Sequence, residues 1–338
     1  MLTGVNVPVE QVLAFRAQAS HLDAKLAAGS YAQATHAGLQ DSVPRAGLIG
    51  LHARMEGVQP SDWDHPSLCQ IWFRGGADYI IPRTDIAPFT LGTLPRDPVK
   101  RAAIEHSADR VVEFLAGREL KTREVNQGVG FPDHMAIRQT SRSGRVLIRW
   151  NASTIFAYEC ERPDVDEEDA RLELCRRFLR WFGPQPVDHF QWWTGVEAKD
   201  AAITWGKLRR ELVLMEFAGE SRMLLKADID LMRSAEPLSG VRLIQNDDPW
   251  LKLDRTLHVP DKSLHDWLFP TSSKSRGYAP NAIIVDGTIA GVWQRQQRKV
   301  TIHPWRRLSR NAQAAIEQEA LSFPIRSKAA PTVSWDQR

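Results

Sequence analysis

The sequence predicts an α+β protein in which three tandem winged-helix units are followed by a β-rich C-terminal region. Three times along the chain, segments with helical periodicity precede short β-prone runs that flank a glycine or polar turn. After residue 235 the pattern changes to a strand meander. The length of 338 residues also exceeds what one hydrophobic core usually supports. We predict winged-helix units at residues 5–92, 96–162 and 165–232, a β-rich domain at 236–325, and a flexible tail at 326–338.

In the first unit, three helical segments precede a hairpin. Apolar residues recur near helical spacing in residues 9–28, 30–39 and 44–55. The β-prone runs 69–73 and 79–81 then flank a turn that contains Gly75 and Gly76. This order of elements is typical of a winged helix.

The second and third units repeat the order without repeating the residues. The second has helical segments at 99–116, 121–127 and 132–139, a turn at 142–145, and an alternating strand at 146–150. In the third, an acidic start opens a helix at 166–181, and Gly183-Pro184 ends it. Two more helices and a hairpin follow, at residues 186–194, 197–210, 212–217 and 222–225.

The C-terminal region is predicted to be a meander closed by a helix. The strands are expected at residues 282–285, 288–293 and 299–303, with a turn at Asp286-Gly287. Residues 309–323 have helical periodicity, and the polar residues after 325 are expected to fray.

Composition limits the classes of function. The net charge is only +3, so a nucleic-acid surface must come from local clusters of basic residues. Cys69, Cys160 and Cys175 are too few and too widely spaced for a disulfide framework or a zinc site, which fits a reducing compartment. With neither a signal peptide nor a membrane-spanning run in the sequence, we expect a cytoplasmic, nucleoid-associated protein.

Several common kinds of chemistry lack their sequence signals. The chain contains no P-loop, no G-x-S-x-G elbow and no dinucleotide-binding glycine pattern, and its histidines lack metal-ligand spacing. We therefore expect neither a cofactor nor a metal. A heptad run or other dimerisation segment is also missing from the sequence, so we expect a monomer.

Basic residues cluster where a winged helix meets DNA. The stretch 138–149 contains no acidic residue, which favours a phosphate-binding surface over an ordinary solvated face. Arg54 is also a candidate for a phosphate contact. We predict that the chain binds double-stranded DNA through Arg54, Arg138, Arg142, Arg145, Arg149, Lys199, Lys207, Arg209, Arg210, Arg295 and Arg298.

Short phrases in a shared order indicate a family. They include Gly38-Leu39-Gln40 followed by LIGLHARME from Leu48, IWFRGGADYIIP from Ile71, and FGPQPVDHFQWWTGV from Phe182. NDDPWLKLDR from Asn246, IIVDGTIAGVWQRQ from Ile283 and TIHPWRRLS from Thr301 complete the series. Over nearly its whole length the chain resembles the AlkZ/YcaQ-type winged-helix DNA glycosylases, bacterial proteins linked to the removal of bulky alkylated purines and the unhooking of interstrand crosslinks. The resemblance implies three tandem winged helices and a β-rich part around a basic DNA channel.

The resemblance also implies a catalytic motif in the first unit, near the end of a helix. That motif is glutamine, an aliphatic residue, then glutamine or aspartate, and its first position matches Gln40. Here the next residues are Asp41 and Ser42, so the carboxylate comes one position early, which on a helix rotates it by about 100°. Gln40, Asp41 and Ser42 are the candidate catalytic residues.

Two roles remain open for the residues after Gln40. Asp41 suits the orientation of water at an anomeric carbon, but Asp41 and Ser42 also precede Pro44 in positions that suit helix capping. We weigh the two roles equally for Asp41 and favour capping for Ser42. The chain is accordingly expected to be either a monofunctional DNA glycosylase for alkylated or crosslinked purines, or a non-catalytic DNA-binding protein for lesion recognition or transcriptional regulation.

Overall fold

The computed structural model describes residues 6–271, 279–326 and 329–336. The first residue of the first predicted unit, residues 272–278 of the predicted β-rich domain, and residues 327–328 and 337–338 of the predicted tail lie outside the described residues. The helices of the described part are α1 (Val9–Ala19), α2 (Tyr31–Ala34), α3 (Ala46–Arg54), α4 (Ile86–Phe89), α5 (Pro98–Leu115), α6 (Thr122–Val129), α7 (His134–Gln139), α8 (Glu167–Phe182), α9 (Val187–Thr194), α10 (Ala198–Lys207), α11 (Ile229–Ser234), α12 (Pro249–Lys252), α13 (Arg255–His258), α14 (Lys262–Leu268) and α15 (Arg310–Leu321).

The strands in the described residues form three sheets. They are β1 (Leu39–Gln40), β2 (Leu68–Phe73), β3 (Ala77–Pro82), β4 (Leu120–Lys121), β5 (Val146–Trp150), β6 (Ile155–Glu159), β7 (Leu212–Phe217), β8 (Glu220–Leu225), β9 (Val241–Ile244), β10 (Asn281–Val285), β11 (Thr288–Gln296), β12 (Lys299–Pro304) and β13 (Thr332–Trp335). The first sheet has the order β1-β3-β2-β5-β6-β4, the second β13-β12-β11-β10-β9, and β7 pairs with β8. The mixed α+β class predicted from the sequence is confirmed.

The hairpins of the first two predicted units share one sheet. β2 and β3 pair from Leu68 to Pro82, β5 and β6 pair from Val146 to Glu159, and the two hairpins meet where Gln70 lies opposite Ile148. The turn predicted before the strand at 146–150 is present: residues 140–143 form a short 3-10 turn that ends at Gly144, because that glycine takes the left-handed conformation. The second hairpin itself turns at residues 151–154, between β5 and β6, and β6 was not predicted.

Helix α3 lies at the centre of the molecule, and every one of its residues is buried. Leu48 and Leu51 pack with the first hairpin and α8, whereas Ile49 and Ala53 pack against the five-stranded sheet. Gly47 permits this close packing, because a Cβ there would lie 2.7 Å from Cδ1 of Ile80. The helix therefore connects the first predicted unit to the C-terminal sheet.

The five-stranded sheet is covered on both faces. In β10, Ala282 and Ile284 face one apolar cluster, which includes residues next to α1, and Ile283 and Val285 face another, which includes α15. This alternation follows from the two-residue period of a strand. The predicted meander and its closing helix are confirmed at residues 281–304 and 310–321.

Three local expectations were wrong. Helix α1 ends at Ala19 rather than extending to residue 28. Residues 39–40 form strand β1 beside β3, so Gln40 lies on a strand and not near the end of a helix. In the predicted flexible tail, Thr332–Trp335 pairs with β12 in parallel, which gives its backbone groups partners. No helix in the described part of the chain is long and apolar enough to cross a membrane.

Candidate active site and nucleic-acid interface

Gln40 lies in a cleft between two parts of the chain. One side is residues 39–46, which we name the motif strip, and the other is residues 245–252, which we name the acidic strip. β11 forms a third side with Trp293 and the residues after it. The lining residues are Gln40, Ser42, Val43, Pro44, Ala46, Gln245, Asn246, Asp247, Ala279, Asn281, Trp293, Gln294, Arg295 and Gln296. This cleft brings Gln40 and Ser42, selected from the sequence as candidate catalytic residues, together with Arg295, selected as a candidate for DNA binding.

The orientation of the Gln40 amide is determined by its neighbours. Its Oε1 accepts a hydrogen bond from the hydroxyl of Tyr79 at 3.2 Å and another from the Lys252 ammonium. Its Nε2 donates to Oδ2 of Asp247 at 3.3 Å and to Oγ of Ser42 at 3.3 Å. Burial raises the pKa of Tyr79, so this hydroxyl remains a donor. The amide is therefore held with its oxygen and its nitrogen each facing a suitable partner.

Asp247 and Lys252 form an ion pair beside Gln40. Their Oδ1 and Nζ atoms are 2.8 Å apart, and the side chain of Lys252 is 3% exposed, whereas that of Asp247 is 37% exposed. Burial by itself would raise the pKa of Asp247, but the attraction of Lys252, Arg255 and Arg74 brings that pKa below its ordinary value. The cleft thus contains an ionised carboxylate that the sequence analysis missed. The only signal was the phrase NDDPWLKLDR, which was used to indicate the family and not the site.

Asp41 points away from the cleft. Its side chain is fully buried, and its Oδ1 accepts from the backbone N–H of Gly47 at 2.8 Å, in the first turn of α3. Gln70 donates to Oδ2 at 3.4 Å, and the guanidinium of Arg45 lies 3.8 Å away. Burial raises the pKa of Asp41 to about 7. Asp41 therefore stabilises the start of α3, and its predicted role in orienting water at the cleft is wrong because the carboxylate does not reach it.

Ser42 does not cap the helix, contrary to our expectation. Its Oγ accepts from Nε2 of Gln40 and from the backbone N–H of Asp78, both at 3.3 Å. The residue is exposed and lines the cleft. Ser42 is thus placed beside Gln40, and its assignment as a catalytic residue stays a prediction.

Arg54 is not available to DNA. Its side chain has no exposed surface, and two of its nitrogens bind the two carboxylate oxygens of Asp248 at 2.7 Å each. A buried guanidinium whose two terminal nitrogens already bind a carboxylate cannot reach a phosphate. The prediction that Arg54 binds DNA is wrong.

The arginines of the second predicted unit have partners from distant parts of the chain. Arg145 and Arg149 each pair with two carboxylates. Those four carboxylates belong to Glu105, Asp109, Asp64 and Glu119. Arg138 donates to the carbonyl of Gly76 at 2.8 Å, and burial lowers the pKa of Arg142 to about 10. The stretch 138–149 itself contains no acidic residue, but folding brings carboxylates from other segments to its arginines. The inference that these arginines are free to bind phosphate is therefore wrong for Arg145 and Arg149.

Other basic candidates are more open. Lys199, Lys207, Arg209 and Arg210 are all exposed on α10 and the turn after it, with Lys207 3.2 Å from Glu168. At the cleft, Arg295 donates to the backbone carbonyls of Gln297 at 3.0 Å and Pro44 at 3.2 Å. Arg298 is exposed and donates to the carbonyl of Ala330 at 3.3 Å. These side chains can exchange carbonyl or solvent partners for phosphate.

Comparison with known proteins agrees with the sequence resemblance. The family described as AlkZ-like DNA glycosylases matches residues 30–323. An interstrand DNA cross-link repair glycosylase of Streptomyces sahachiroi is 22% identical over 187 residues, which are 53% of this chain and 48% of that protein. The chain therefore matches about half the length of this relative.

A solved structure extends the likeness to the whole fold. The Streptomyces sahachiroi DNA glycosylase AlkZ superposes with a TM-score of 0.76 over 99% of this chain and 100% of that chain, at 14% sequence identity. At this level of identity the superposition is a statement about the fold. The match to the family, which covers most of the residues including the Gln40 cleft, carries the assignment: the chain belongs to the AlkZ-like DNA glycosylases.

Proposed function

We propose that this chain is a monofunctional DNA glycosylase that hydrolyses the N-glycosidic bond of alkylated or crosslinked purines in double-stranded DNA. The observation that carries the proposal is the Gln40 amide, which occupies the family's motif position and is held in one orientation at the cleft. Such a group can direct a water molecule at the anomeric carbon when the water replaces Oγ of Ser42, 3.3 Å away, as a partner of Nε2, while nearby negative charge stabilises an oxocarbenium-like sugar.

In this proposal, three helix-and-hairpin units act as tandem winged helices that bind the duplex. Their hairpins are β2–β3, β5–β6 and β7–β8. The exposed basic residues of α10 and the turn after it, the half-buried Arg295 of β11 and the exposed Arg298 supply phosphate contacts. The protein acts as a cytoplasmic monomer without a cofactor or metal.

A second candidate function has a specific observation in its favour. Ser42 stands where the family motif has glutamine or aspartate, and the neighbouring Asp41 is buried away from the cleft. A scaffold with only half of its motif would suit a non-catalytic protein that recognises lesions. The two candidates differ in whether any base is released.

The deciding experiment uses duplex DNA that contains 7-methylguanine, followed by hot alkali to cleave abasic sites. The wild-type protein should produce strand breaks at the lesion, and Gln40→Ala should lower the rate on the order of 10² while duplex affinity changes little. Gln318→Ala is the matched control, because Gln318 is exposed on α15 and does not line the cleft. Tight binding without release of base from several alkylated purines would leave the second candidate standing.

A further inference from the structure

The acidic strip places a carboxylate beside Gln40, where the motif strip offers only a hydroxyl. Oδ2 of Asp247 lies 3.3 Å from Nε2 of Gln40, although the two residues are 207 positions apart in the chain. The same Gln40 nitrogen lies 3.3 Å from Oγ of Ser42, the residue at the third motif position. Asp247 and Ser42 therefore flank one amide nitrogen.

We propose that Asp247 is a catalytic residue, the carboxylate that accepts the proton of the hydrolytic water while Gln40 orients that water. The inference rests on the proposed glycosylase function. The proton acceptor thus comes from the acidic strip, because the motif strip offers only the hydroxyl of Ser42 at the corresponding motif position.

Three properties distinguish Asp247 from the other polar groups near Gln40. It is 37% exposed and lines the cleft, whereas the Asp41 side chain has no exposed surface. Its ion pair with Lys252 keeps it ionised at neutral pH, so its oxygens carry no proton and can accept one from water, although the same pair makes it a weaker base. The hydroxyl of Ser42 is a far weaker base and carries no charge to stabilise a cationic sugar.

The step balances without another reactant. For 7-methylguanine, the bond between C1′ and N9 breaks and its electron pair stays on N9, which cancels the positive charge of the alkylated ring. The oxygen of water forms a bond to C1′, and one water proton passes to an Asp247 oxygen and then to solvent. The products are the neutral base and an abasic sugar. The negative charge of Asp247 also stabilises the positive charge that develops on the sugar ring.

Lys252 determines how this proposal must be tested. Its ammonium is almost completely buried between Asp247 and Gln40, so Asp247→Asn leaves a buried charge with a weaker partner. That variant alone could lose activity through instability. The double variant Asp247→Asn/Lys252→Met removes both charges with side chains of similar size, and Lys252→Met alone keeps the carboxylate.

The experiment compares single-turnover release of 7-methylguanine by these variants with their melting temperature and duplex affinity. Asp247→Asn should be slower than wild type by on the order of 10², and the double variant should be slower than Lys252→Met by a similar factor while melting at a similar temperature. Asp266→Asn is the control, because this carboxylate is exposed on α14 and does not line the cleft.

The possible failures are distinguishable. The reference for Asp247→Asn is wild type, and the reference for the double variant is Lys252→Met. If wild type releases base and each Asp247 variant releases it at a rate within about threefold of its reference, the role of Asp247 is refuted while the glycosylase function stands. A threefold difference is less than one factor of ten in rate. If wild type releases no base from any alkylated purine, the glycosylase proposal and this inference fall together.

Discussion

The two strips that line the cleft are built alike but stabilise their buried charges differently. In the motif strip Gln40 faces the cleft and Asp41 points inward, and in the acidic strip Asp247 faces the cleft and Asp248 points inward. Asp248 receives two hydrogen bonds from the guanidinium of Arg54 at 2.7 Å. Asp41 receives neutral donors, and its closest cation, Arg45, stays 3.8 Å away.

The difference shows two ways to bury a carboxylate. In the acidic strip a counter-ion compensates the charge of Asp248. In the motif strip the compensation is incomplete, so burial raises the pKa of Asp41 to about 7 and a proton neutralises the group below that pH. Asp41 and Asp248 therefore stabilise the two sides of the cleft by different interactions. Substitutions of the two residues should change the free energy of unfolding by different amounts and with a different dependence on pH.

The largest expected effect comes from the acidic strip. Asp248→Asn leaves Arg54 buried without its counter-ion, so the free energy of unfolding should fall by about 3–5 kcal/mol. Urea unfolding followed by circular dichroism measures this loss. The double variant Asp248→Leu/Arg54→Met should recover most of the stability. A loss below about 1 kcal/mol, the range of surface ion pairs, would remove the distinction between the two strips.

A smaller, pH-dependent effect is expected in the motif strip. The folded protein keeps a proton on Asp41 up to about pH 7, whereas the unfolded chain releases it near the ordinary pKa of 3.8. Between those values the folded state binds more protons, so the contribution of Asp41 to the free energy of unfolding falls as the pH rises, by about 4 kcal/mol at most. Asp41→Asn keeps an oxygen acceptor for Gly47 and should abolish this fall.

The measurement compares the free energy of unfolding of wild type and Asp41→Asn at about pH 4.5 and about pH 7.5. Most of the expected fall in the contribution of Asp41 occurs between these two values. The stability of wild type relative to the variant should be lower at the higher pH. Asp266→Asn, at an exposed site, should leave the wild-type trend in place. An equal trend in wild type and Asp41→Asn would mean that Asp41 is ionised across this range, like a carboxylate with a full counter-ion.

The smallest effect concerns the third side of the cleft. If roughly five phosphates are neutralised, the logarithm of duplex affinity should fall with the logarithm of salt concentration with a slope near −4 to −5. Arg295→Ala should reduce that slope by about 1, because Arg295 can exchange its carbonyl partners for a phosphate. Arg145→Ala is the matched control and should leave the slope unchanged, since two carboxylates already neutralise Arg145. The reverse result would restore the DNA surface to the second unit.

Local patterns in the sequence predicted most of the elements. The acidic start of α8 was expected from residues 166–169, and Asp166 does accept hydrogen bonds from the backbone N–H groups of Glu168 and Asp169. The hairpin turn of Gly75 and Gly76 and the meander turn of Asp286-Gly287 were likewise readable, because left-handed backbone favours a small set of residues. β1 was missed because two residues are too few to show a strand period.

The site was harder to predict because its contacts join distant parts of the chain. Gln40 was found through the resemblance, but Asp247 reaches it only when the turn after β9 packs against α3. The same reason explains the arginines of the second unit, since Asp64 lies 85 residues before Arg149. A stretch of sequence shows the charge of that segment alone. The charge of the folded surface also depends on residues that other segments bring to it.

The last strand of the chain has a consequence for how copies of the protein behave together. β13 lies beside β12 in parallel at the outer edge of the five-stranded sheet, and the backbone N–H of Asp336 donates to the carbonyl of Ile302 at 2.9 Å. A chain cut after residue 326 would present Lys299–Pro304 as an open edge, and open edges invite pairing with other chains. With β13 in place, the six residues of β12 are covered, and the sheet ends at that side in a strand of only four residues, which offers less backbone for such pairing.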